Sequence, residues 1–178
     1  LAVGKEAERM EADHPKDVRI LHPLSDNVIC DFTATENLIR GVLCKAFGSC
    51  GTWGQKFNML IVVPTGITEV EKCAIRDIAC HAGARTVNMI FAPLATAIGL
   101  GIDIEKPDGE LVIDVGASTT DLTTISLFGI VESTTIRNTS SREETMKKVG
   151  QAILDILAKT PPELRNDILQ SGPYLVGK

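Results

Sequence analysis

One stretch of the sequence decides how the chain is interpreted, namely Val112-Ile113-Asp114-Val115-Gly116-Ala117-Ser118-Thr119-Thr120-Asp121. An apolar strand ends at an aspartate, and a loop of small and hydroxylated residues turns directly into a second strand. Small residues let backbone N–H groups approach an anion, and an aspartate at a strand end can hold a hydrated Mg²⁺. A tight hairpin turn rich in small residues would look the same. This stretch alone therefore leaves both a binding loop and a plain turn open.

Strand and helix patterns alternate on both sides of this stretch. Apolar runs bounded by turn residues predict strands at 18–21, 28–30, 59–63, 86–91, 111–114, 122–127 and 130–136, the last two forming a hairpin around Phe128-Gly129. Alternating strands and helices predict an α/β protein.

Four helices are predicted from their end signals. Capping-box patterns begin at Thr33, Thr68 and Ser141, each followed by Glu three residues later, and Thr160-Pro161-Pro162-Glu163 starts a fourth, short helix with Pro at its first position. Glycines at 48, 83 and 172 predict where three of these helices end. The predicted buried stripes are Val70, Cys73, Ala74, Ile78 and Ala82 on the second helix, and Met146, Val149, Ile153, Leu154 and Leu157 on the third.

Composition and charge exclude several classes of function. The chain has 178 residues, of which 44 % are hydrophobic and 23 % charged, the balance of an ordinary globular protein. Its formal net charge is −5, and without a stripe of Lys and Arg it is not expected to bind nucleic acid. Its five cysteines contain no CxxC pair, so we expect small buried hydrophobes in a reducing cytosol rather than metal ligands.

Common catalytic motifs are absent from the sequence. It contains no G-x-x-x-x-G-K-[ST], no G-x-G-x-x-G after a strand and no H-E-x-x-H. The three histidines, His14, His22 and His81, are scattered along the chain, and we expect surface roles for them. No catalytic residue is therefore assigned from motifs.

Six landmarks follow one another along nearly the whole chain, at residues 1–10, 22–32, 63–71, 93–99, 114–120 and 160–164. Together they resemble MreB, the family of bacterial actin-like, rod shape-determining proteins. Residues 1–10 are similar to a stretch of the family's small first-lobe subdomain. HPLSDNVICDF at 22–32 is similar to RPLxDGVIADF, VPTGITEVE at 63–71 to VPSGITxVE, PLATAIG at 93–99 to PMAAAIG, DVGASTT at 114–120 to the second phosphate loop DIGGGTT, and TPPEL at 160–164 to TPPEL.

The resemblance implies an actin-like (ribonuclease H-like) α/β fold, truncated, with two lobes around a nucleotide cleft. We place the first lobe at 1–104 and the second, reduced lobe at 105–178, with a polar connection at 103–109. The family's cofactor, ATP or ADP with Mg²⁺, would contact Asp114, Gly116, Ala117, Ser118, Thr119 and Thr120, with Asp114 toward the metal. The implied partners are copies of itself or of MreB-family subunits in a filament, at the inner face of the cell membrane.

Departures from the family pattern argue against catalysis. The first phosphate loop of the family lies upstream of Leu1, and Ala92 stands where the family has the acid that positions the attacking water. The small subdomain of the second lobe is missing between Asn138 and Ser141, and the sequence stops before the adenine-contacting loop. We expect ATP hydrolysis to be lost or very weak.

The phosphate loop itself also departs from the family. Ala117 and Ser118 replace two of its three glycines. If either position needs a positive φ, a residue other than glycine costs about 1–2 kcal/mol there.

These observations predict a non-catalytic, actin-like subunit or regulator. The alternative is an ATPase of the actin/Hsp70 superfamily completed by upstream residues or by another chain, with Asp114 holding the metal and Thr119 orienting water. A degraded or truncated product without function is a third possibility.

A membrane contact is a separate hypothesis. The glycine-rich loop at 48–57 contains Trp53 beside Phe57, and the family's corresponding loop dips into lipid. Aromatic side chains folded back onto the core are the alternative.

Overall fold

The computed structural model describes residues 2–12, 19–25, 28–48, 57–139 and 141–177. Two compact units divide the chain. Unit 1 comprises Leu1–Ile61 and Gly66–Met89, and unit 2 comprises Val62–Thr65 and Ile90–Lys178. The segment from 90 to 104 therefore clusters with unit 2. The lobe boundary at 104 stays a prediction.

Unit 1 contains helices and short sheets. Its elements are α1 (Lys5–Ala12), β1 (Leu24–Ser25), β2 (Val28–Ile29), α2 (Phe32–Phe47), β3 (Phe57–Val63), α3 (Glu69–His81) and β4 (Ala84–Phe91), the last residues of β3 and β4 belonging to unit 2. β1 pairs with β2 in an antiparallel ladder, and β3 is hydrogen-bonded to β4. The strand predicted at 18–21 is wrong for residues 19–21, which carry none, and residue 18 lies outside the described residues.

Helix ends follow the sequence signals closely, with one exception. Thr68 caps α3 in a complete capping box with Glu71, and Gly48 ends α2 in the left-handed conformation at φ 68°. The cap predicted at Thr33 is wrong: α2 begins two residues earlier because the carboxylate of Asp31 accepts the N–H of Ala34 at 2.9 Å. Asp and Thr are both good caps, so pattern alone could not choose between them.

Unit 2 is built on a four-stranded sheet. Its elements are α4 (Ala92–Gly99), β5 (Glu110–Val115), β6 (Thr119–Ser126), β7 (Gly129–Arg137), α5 (Arg142–Lys159), α6 (Pro162–Ser171) and β8 (Tyr174–Gly177). The strand order is β7-β6-β5-β8. β6 is antiparallel to both neighbours, whereas β8 runs parallel to β5 and was not predicted.

Helices cover both faces of this sheet. One face packs Leu111, Ile113, Leu122, Ala152, Ile156 and Ile168 together, joining the sheet to α5 and α6. The other face joins Val112 and Ile125 to Ala97 of α4 and to Ile104. Successive strand residues point to opposite faces, so the odd and even positions of β5 belong to different clusters.

The two predicted helix stripes are only partly correct. On α5, Met146 and Leu154 are 58 % and 63 % exposed, because the buried side of the helix carries Val149, Ala152 and Ile156 instead. On α3, Val70 is exposed, whereas Ile78, Ala79 and Ala82 are buried. A sequence pattern identifies the apolar face of a helix, but the packing of the folded chain decides how much of that face is buried.

The cysteine prediction is wrong for most of the positions described. Cys30, Cys73 and Cys80 are exposed and Cys44 is half-buried, while Cys50 lies outside the described residues. In α3 the residues that turn inward are Ile78 and Ala79, which leaves the sulfur-bearing face outside.

The turn between β6 and β7 lies one residue earlier than predicted. Leu127 and Phe128 occupy the tip, both with positive φ (48° and 59°), which is the type I′ geometry of two-residue hairpins. Their N–H groups donate to the carbonyls of Lys106 at 3.0 Å and Ile104 at 2.7 Å. These two bonds hold the tip in a conformation that suits Asn-Gly better than Leu-Phe.

Candidate functional site

The β5–β6 hairpin carries the loop predicted to bind phosphate. The N–H of Gly116 donates to the carbonyl of Thr119 at 2.8 Å, closing the turn, and Val115 pairs with Thr120. Ala117 and Ser118 form the exposed tip, and neither has a positive φ. The backbone strain considered for these two substitutions therefore does not arise.

Gly116 is the glycine that this turn requires. A Cβ placed on it would lie 2.9 Å from the carbonyl oxygen of Thr119, closer than real Cβ contacts. The same carbonyl accepts the bond that closes the turn. Close approach of backbone to backbone, rather than positive φ, explains the glycine here.

Two carbonyl groups of this loop are hydrogen-bonded, whereas its tip amides are open. Gly116 and Ser118 each have their carbonyl oxygen engaged. Within the described residues, the N–H groups of Ala117 and Ser118 find no acceptor. Two exposed backbone donors at a turn of small residues are a chemical match for phosphate oxygens.

Asp114 and Asp121 lie directly opposite each other in the β5–β6 ladder. Opposite residues of an antiparallel pair point to the same face, with Cβ atoms about 4.5–5.5 Å apart. Asp114 is half-buried, two residues after Val112, and therefore lies on the face that α4 covers. The hydroxyl of Thr135 donates to Asp121, so the second carboxylate already has one partner.

Asn138, which sequence reasoning missed, binds the loop from the end of β7. Its side-chain amide donates to the carbonyl of Gly116 at 2.9 Å, and its Oδ1 accepts the hydroxyl of the buried Thr120 at 2.7 Å. Its own N–H donates to the carbonyl of Ser118 at 2.8 Å. Only the β6–β7 pairing brings residue 138 beside residue 116, so no local signal could have identified it.

Hydroxyl groups continue along the Asp114 face of the sheet. Ser133 lies within hydrogen-bond distance of both Thr123, at 3.2 Å, and Thr65, at 3.0 Å. Thr123 is fully buried and pairs with Val112 in the ladder. The landmark that contains Thr65 is thereby connected to the same sheet face as the candidate loop.

Ala92 is the first residue of α4, and its methyl group offers no acid, base or hydrogen bond. The preceding Phe91 provides no side-chain cap, and Pro93 occupies the first turn. α4 packs on the Asp114 face of β5 through Leu94 and Ala97. Position 92 therefore contributes no proton-transferring group to this side of unit 2.

Of the two residues predicted to contact the membrane, only Phe57 lies in the described part of the chain. Trp53 lies outside the described residues. Phe57 is the half-buried first residue of β3, its ring centroid 6.2 Å from that of Phe47. Its membrane contact stays a prediction.

Metal binding by protein groups alone finds no support in the part of the chain that the structure describes. No group of three or more His, Cys, Asp or Glu side chains there is arranged to hold an ion. Mg²⁺ is usually held by one or two carboxylates together with substrate phosphates and water. Asp114 beside the open amides of the candidate turn fits that kind of donor set.

A second cluster of carboxylates lies at the other end of β5. A cavity of about 420 Å³ is lined by Asp108, Gly109, Glu110, Asp167, Gln170 and Ser171. Burial, and then the neighbouring charges of Asp108 and Asp167, raise the pKa of Glu110. Its Oε2 atom is buried and finds no hydrogen-bond partner among the described residues.

Comparison with known proteins gives the family. The family model described as MreB/Mbl protein matches residues 1–143. The chain belongs to the MreB/Mbl family. Among curated relatives, it is 36 % identical to the cell shape-determining protein MreB of Pasteurella multocida over 159 residues, which cover 89 % of this chain and 43 % of the relative. It is 40 % identical to Mbl of Bacillus subtilis over 137 residues, 77 % of this chain and 40 % of that protein. The chain thus spans about two fifths of the length of these MreB/Mbl relatives.

Solved structures confirm the predicted fold class. MreB5 of Spiroplasma citri bound to ADP matches with a TM-score of 0.80 and 26 % identity, covering 99 % of this chain and 73 % of that one. The same protein bound to AMPPNP matches with a TM-score of 0.77 and 25 % identity over the same shares. A non-polymerising MamK mutant, at 16 % identity and a TM-score of 0.67, agrees in fold alone. This member of the MreB/Mbl family therefore has a truncated actin-like fold.

No helix in the described part of the chain combines the length and the apolar character needed to cross a bilayer.

Proposed function

We propose that this chain is an actin-like filament subunit or regulator of MreB type that acts in cell shape, with weak or absent ATP binding and hydrolysis. The observation that carries the proposal is the β5–β6 turn. It retains Asp114 and two open backbone donors in an actin-like sheet, while the position of the family's catalytic acid is Ala92. A framework for holding phosphate thus persists without the group that would activate water.

The proposed ligand is ADP or ATP with Mg²⁺. The solved relative MreB5 binds ADP and AMPPNP, which supports an adenine nucleotide as the ligand class. The N–H groups of Ala117 and Ser118 and the hydroxyl of Thr119 would contact phosphate, while Asp114 would hold the metal through water. Gly116 and Thr120 would keep the turn in shape.

Affinity is expected to be low for this polypeptide. If about three charge-assisted hydrogen bonds of the family's site come from other segments, affinity falls by roughly a thousandfold or more. A missing water-positioning carboxylate lowers turnover by a further factor of about 10²–10⁴. Millimolar binding and negligible hydrolysis are the expected outcome.

Assembly is the activity to test first. Sedimentation of the chain alone, and mixed with an MreB of the Pasteurella type, measures self-association and co-assembly. Pelleting in either mixture supports the proposal, whereas the absence of pelleting, of self-association and of co-assembly contradicts it.

The rival function is an ATPase completed by upstream residues or by another chain. In that case Asp114 holds the metal and Thr119 orients the attacking water. A colorimetric phosphate-release assay on the longest natural chain separates the two functions. Turnover that disappears in Asp114→Ala but persists in Asp155→Ala, an exposed carboxylate of α5, favours the enzyme.

A non-functional product is the third possibility. It predicts that the polypeptide does not fold. A circular dichroism spectrum without helix and strand signals, and no cooperative thermal transition, would favour it.

Location is part of the proposal as well. We place the protein in the cytoplasm, at the inner face of the cell membrane, with the loop that contains Trp53 against lipid. Flotation with anionic liposomes tests this contact: Trp53→Ser should reduce the bound fraction, and unchanged binding would remove the idea.

A further inference from the structure

We propose that Asn138 is the positioning residue of the phosphate-binding turn: it turns the carbonyls of Gly116 and Ser118 away from the ligand and leaves the amides at the tip open. This inference rests on the proposed function of the turn as a nucleotide contact. It adds a residue that none of the six sequence landmarks contains.

The three hydrogen bonds of Asn138 act on different parts of the turn. Its side chain holds the carbonyl of Gly116 at 2.9 Å, and its backbone N–H holds the carbonyl of Ser118 at 2.8 Å. Both are acceptor groups that would repel a phosphate if they pointed toward it. The N–H groups of Ala117 and Ser118 have no acceptor within the described residues and remain available.

Thr120 locks the orientation of the asparagine side chain. Its hydroxyl donates to Oδ1 of Asn138 at 2.7 Å, and the threonine is fully buried. An amide whose oxygen accepts from Thr120 must direct its NH₂ group to another acceptor, which here is Gly116. The acceptor and the donor of one side chain thus join β6, β7 and the turn.

Without the hydrogen bonds of Asn138, the backbone of this turn would be held less firmly for binding phosphate. Neither Ala117 nor Ser118 adopts a positive φ, so the turn lacks the fixed type I′ form of the β6–β7 tip. Besides the bond from Gly116 to Thr119 that closes it, the turn is held by bonds from outside the hairpin. Asn138 supplies three of them, from a strand that the sheet already holds in register.

The experiment compares Asn138→Ala, Thr120→Val and the double variant with the full chain. Asn166→Ala is the matched control, because Asn166 is an exposed asparagine of α6 in the same unit. Chemical-shift titration of ¹⁵N-labelled protein with millimolar MgADP gives the dissociation constant. Amide hydrogen exchange without nucleotide reports the order of the turn, and thermal unfolding reports stability.

We expect Asn138→Ala to weaken MgADP binding roughly tenfold, the effect of two lost side-chain hydrogen bonds. It should also speed exchange of the Gly116 amide, whose bond to the carbonyl of Thr119 closes the turn. Thr120→Val should weaken binding less. The double variant should add little to Asn138→Ala, because both changes remove the hydrogen bond between Thr120 and Asn138. Asn166→Ala should match the parent protein.

Two results overturn the proposal separately from the function. If the parent protein binds MgADP and folded Asn138→Ala binds equally well, Asn138 has a structural role only. If the parent shows no chemical-shift change with MgADP, the proposed nucleotide function fails. The exchange data then test separately whether Asn138 holds the turn. Equal exchange of the Gly116 amide and of the backbone amide at position 138 in the parent and in Asn138→Ala would reject this role.

Discussion

Glycine substitutions at the two hairpin tips of unit 2 should change stability in opposite directions. At the β6–β7 tip, Phe128 has φ 59° and is 56 % exposed, so Phe128→Gly removes strain and loses little buried surface. At the β5–β6 tip, Ala117 has no positive φ, so Ala117→Gly relieves nothing. Both changes add the same kind of flexibility to the unfolded chain.

The magnitudes follow from these conformations. A left-handed residue other than glycine costs about 1–2 kcal/mol. The extra freedom of glycine in the unfolded chain offsets about 0.4–1 kcal/mol of any gain. Phe128→Gly should therefore stabilise by about 0.5–1 kcal/mol, whereas Ala117→Gly should destabilise by about 0.4–1 kcal/mol. The difference between the two variants is about 1–2 kcal/mol.

Urea unfolding followed by far-ultraviolet circular dichroism measures the difference, together with hydrogen exchange of β6 amides, which report on unit 2 directly. Ser118→Gly serves as a second test of the β5–β6 tip and should behave like Ala117→Gly. Thermal midpoints should differ by about 2–4 °C for each kcal/mol. If Phe128→Gly and Ala117→Gly shift stability in the same direction, the assignment of strain to one tip only is refuted.

Three further predictions concern caps and a buried carboxylate. Folding raises the pKa of Glu110, so the protonated carboxyl group favours the folded state. This contribution to stability is complete below the unfolded pKa of 4.5 and is lost as pH rises through the folded pKa. The stability of Glu110→Gln relative to the parent should therefore increase with pH in urea titrations from acid to neutral pH, and a constant difference would contradict this. Thr68→Ala should cost about 1 kcal/mol by breaking the capping box, and should return the lowered pKa of Glu71 toward its ordinary value, as ¹³C titration would show. Asp31→Ala should cost a similar amount of about 1 kcal/mol, whereas Thr33→Ala should change the thermal midpoint little; equal losses would mean that Thr33 shares the cap.

The candidate site was predictable in part, because its composition is local. An aspartate at a strand end followed by small and hydroxylated residues is enough to select Asp114 and the turn as a candidate binding loop, although the same stretch also fits a plain hairpin turn. The free-energy cost of having Ala117 and Ser118 in place of glycine depends on φ, which could not be read from the sequence. Asn138 could not be predicted, because 22 residues separate it from Gly116 and only the register of β6 and β7 brings the two together.

Local sequence specifies the alternation of strands and helices and most helix ends, and it contains the family landmarks. Those properties depend on neighbours within a few residues: a hydroxyl or carboxylate near an open N–H, a glycine after the last turn, an apolar run between polar ones. Tertiary structure alone decided which apolar residues of α3 and α5 are buried, the parallel pairing of β8 with β5, and the positive φ at Leu127 and Phe128. Each of these depends on segments distant in sequence. The surface that packs against a helix decides which of its residues are buried, and a strained residue is tolerated only where contacts elsewhere hold the backbone in place.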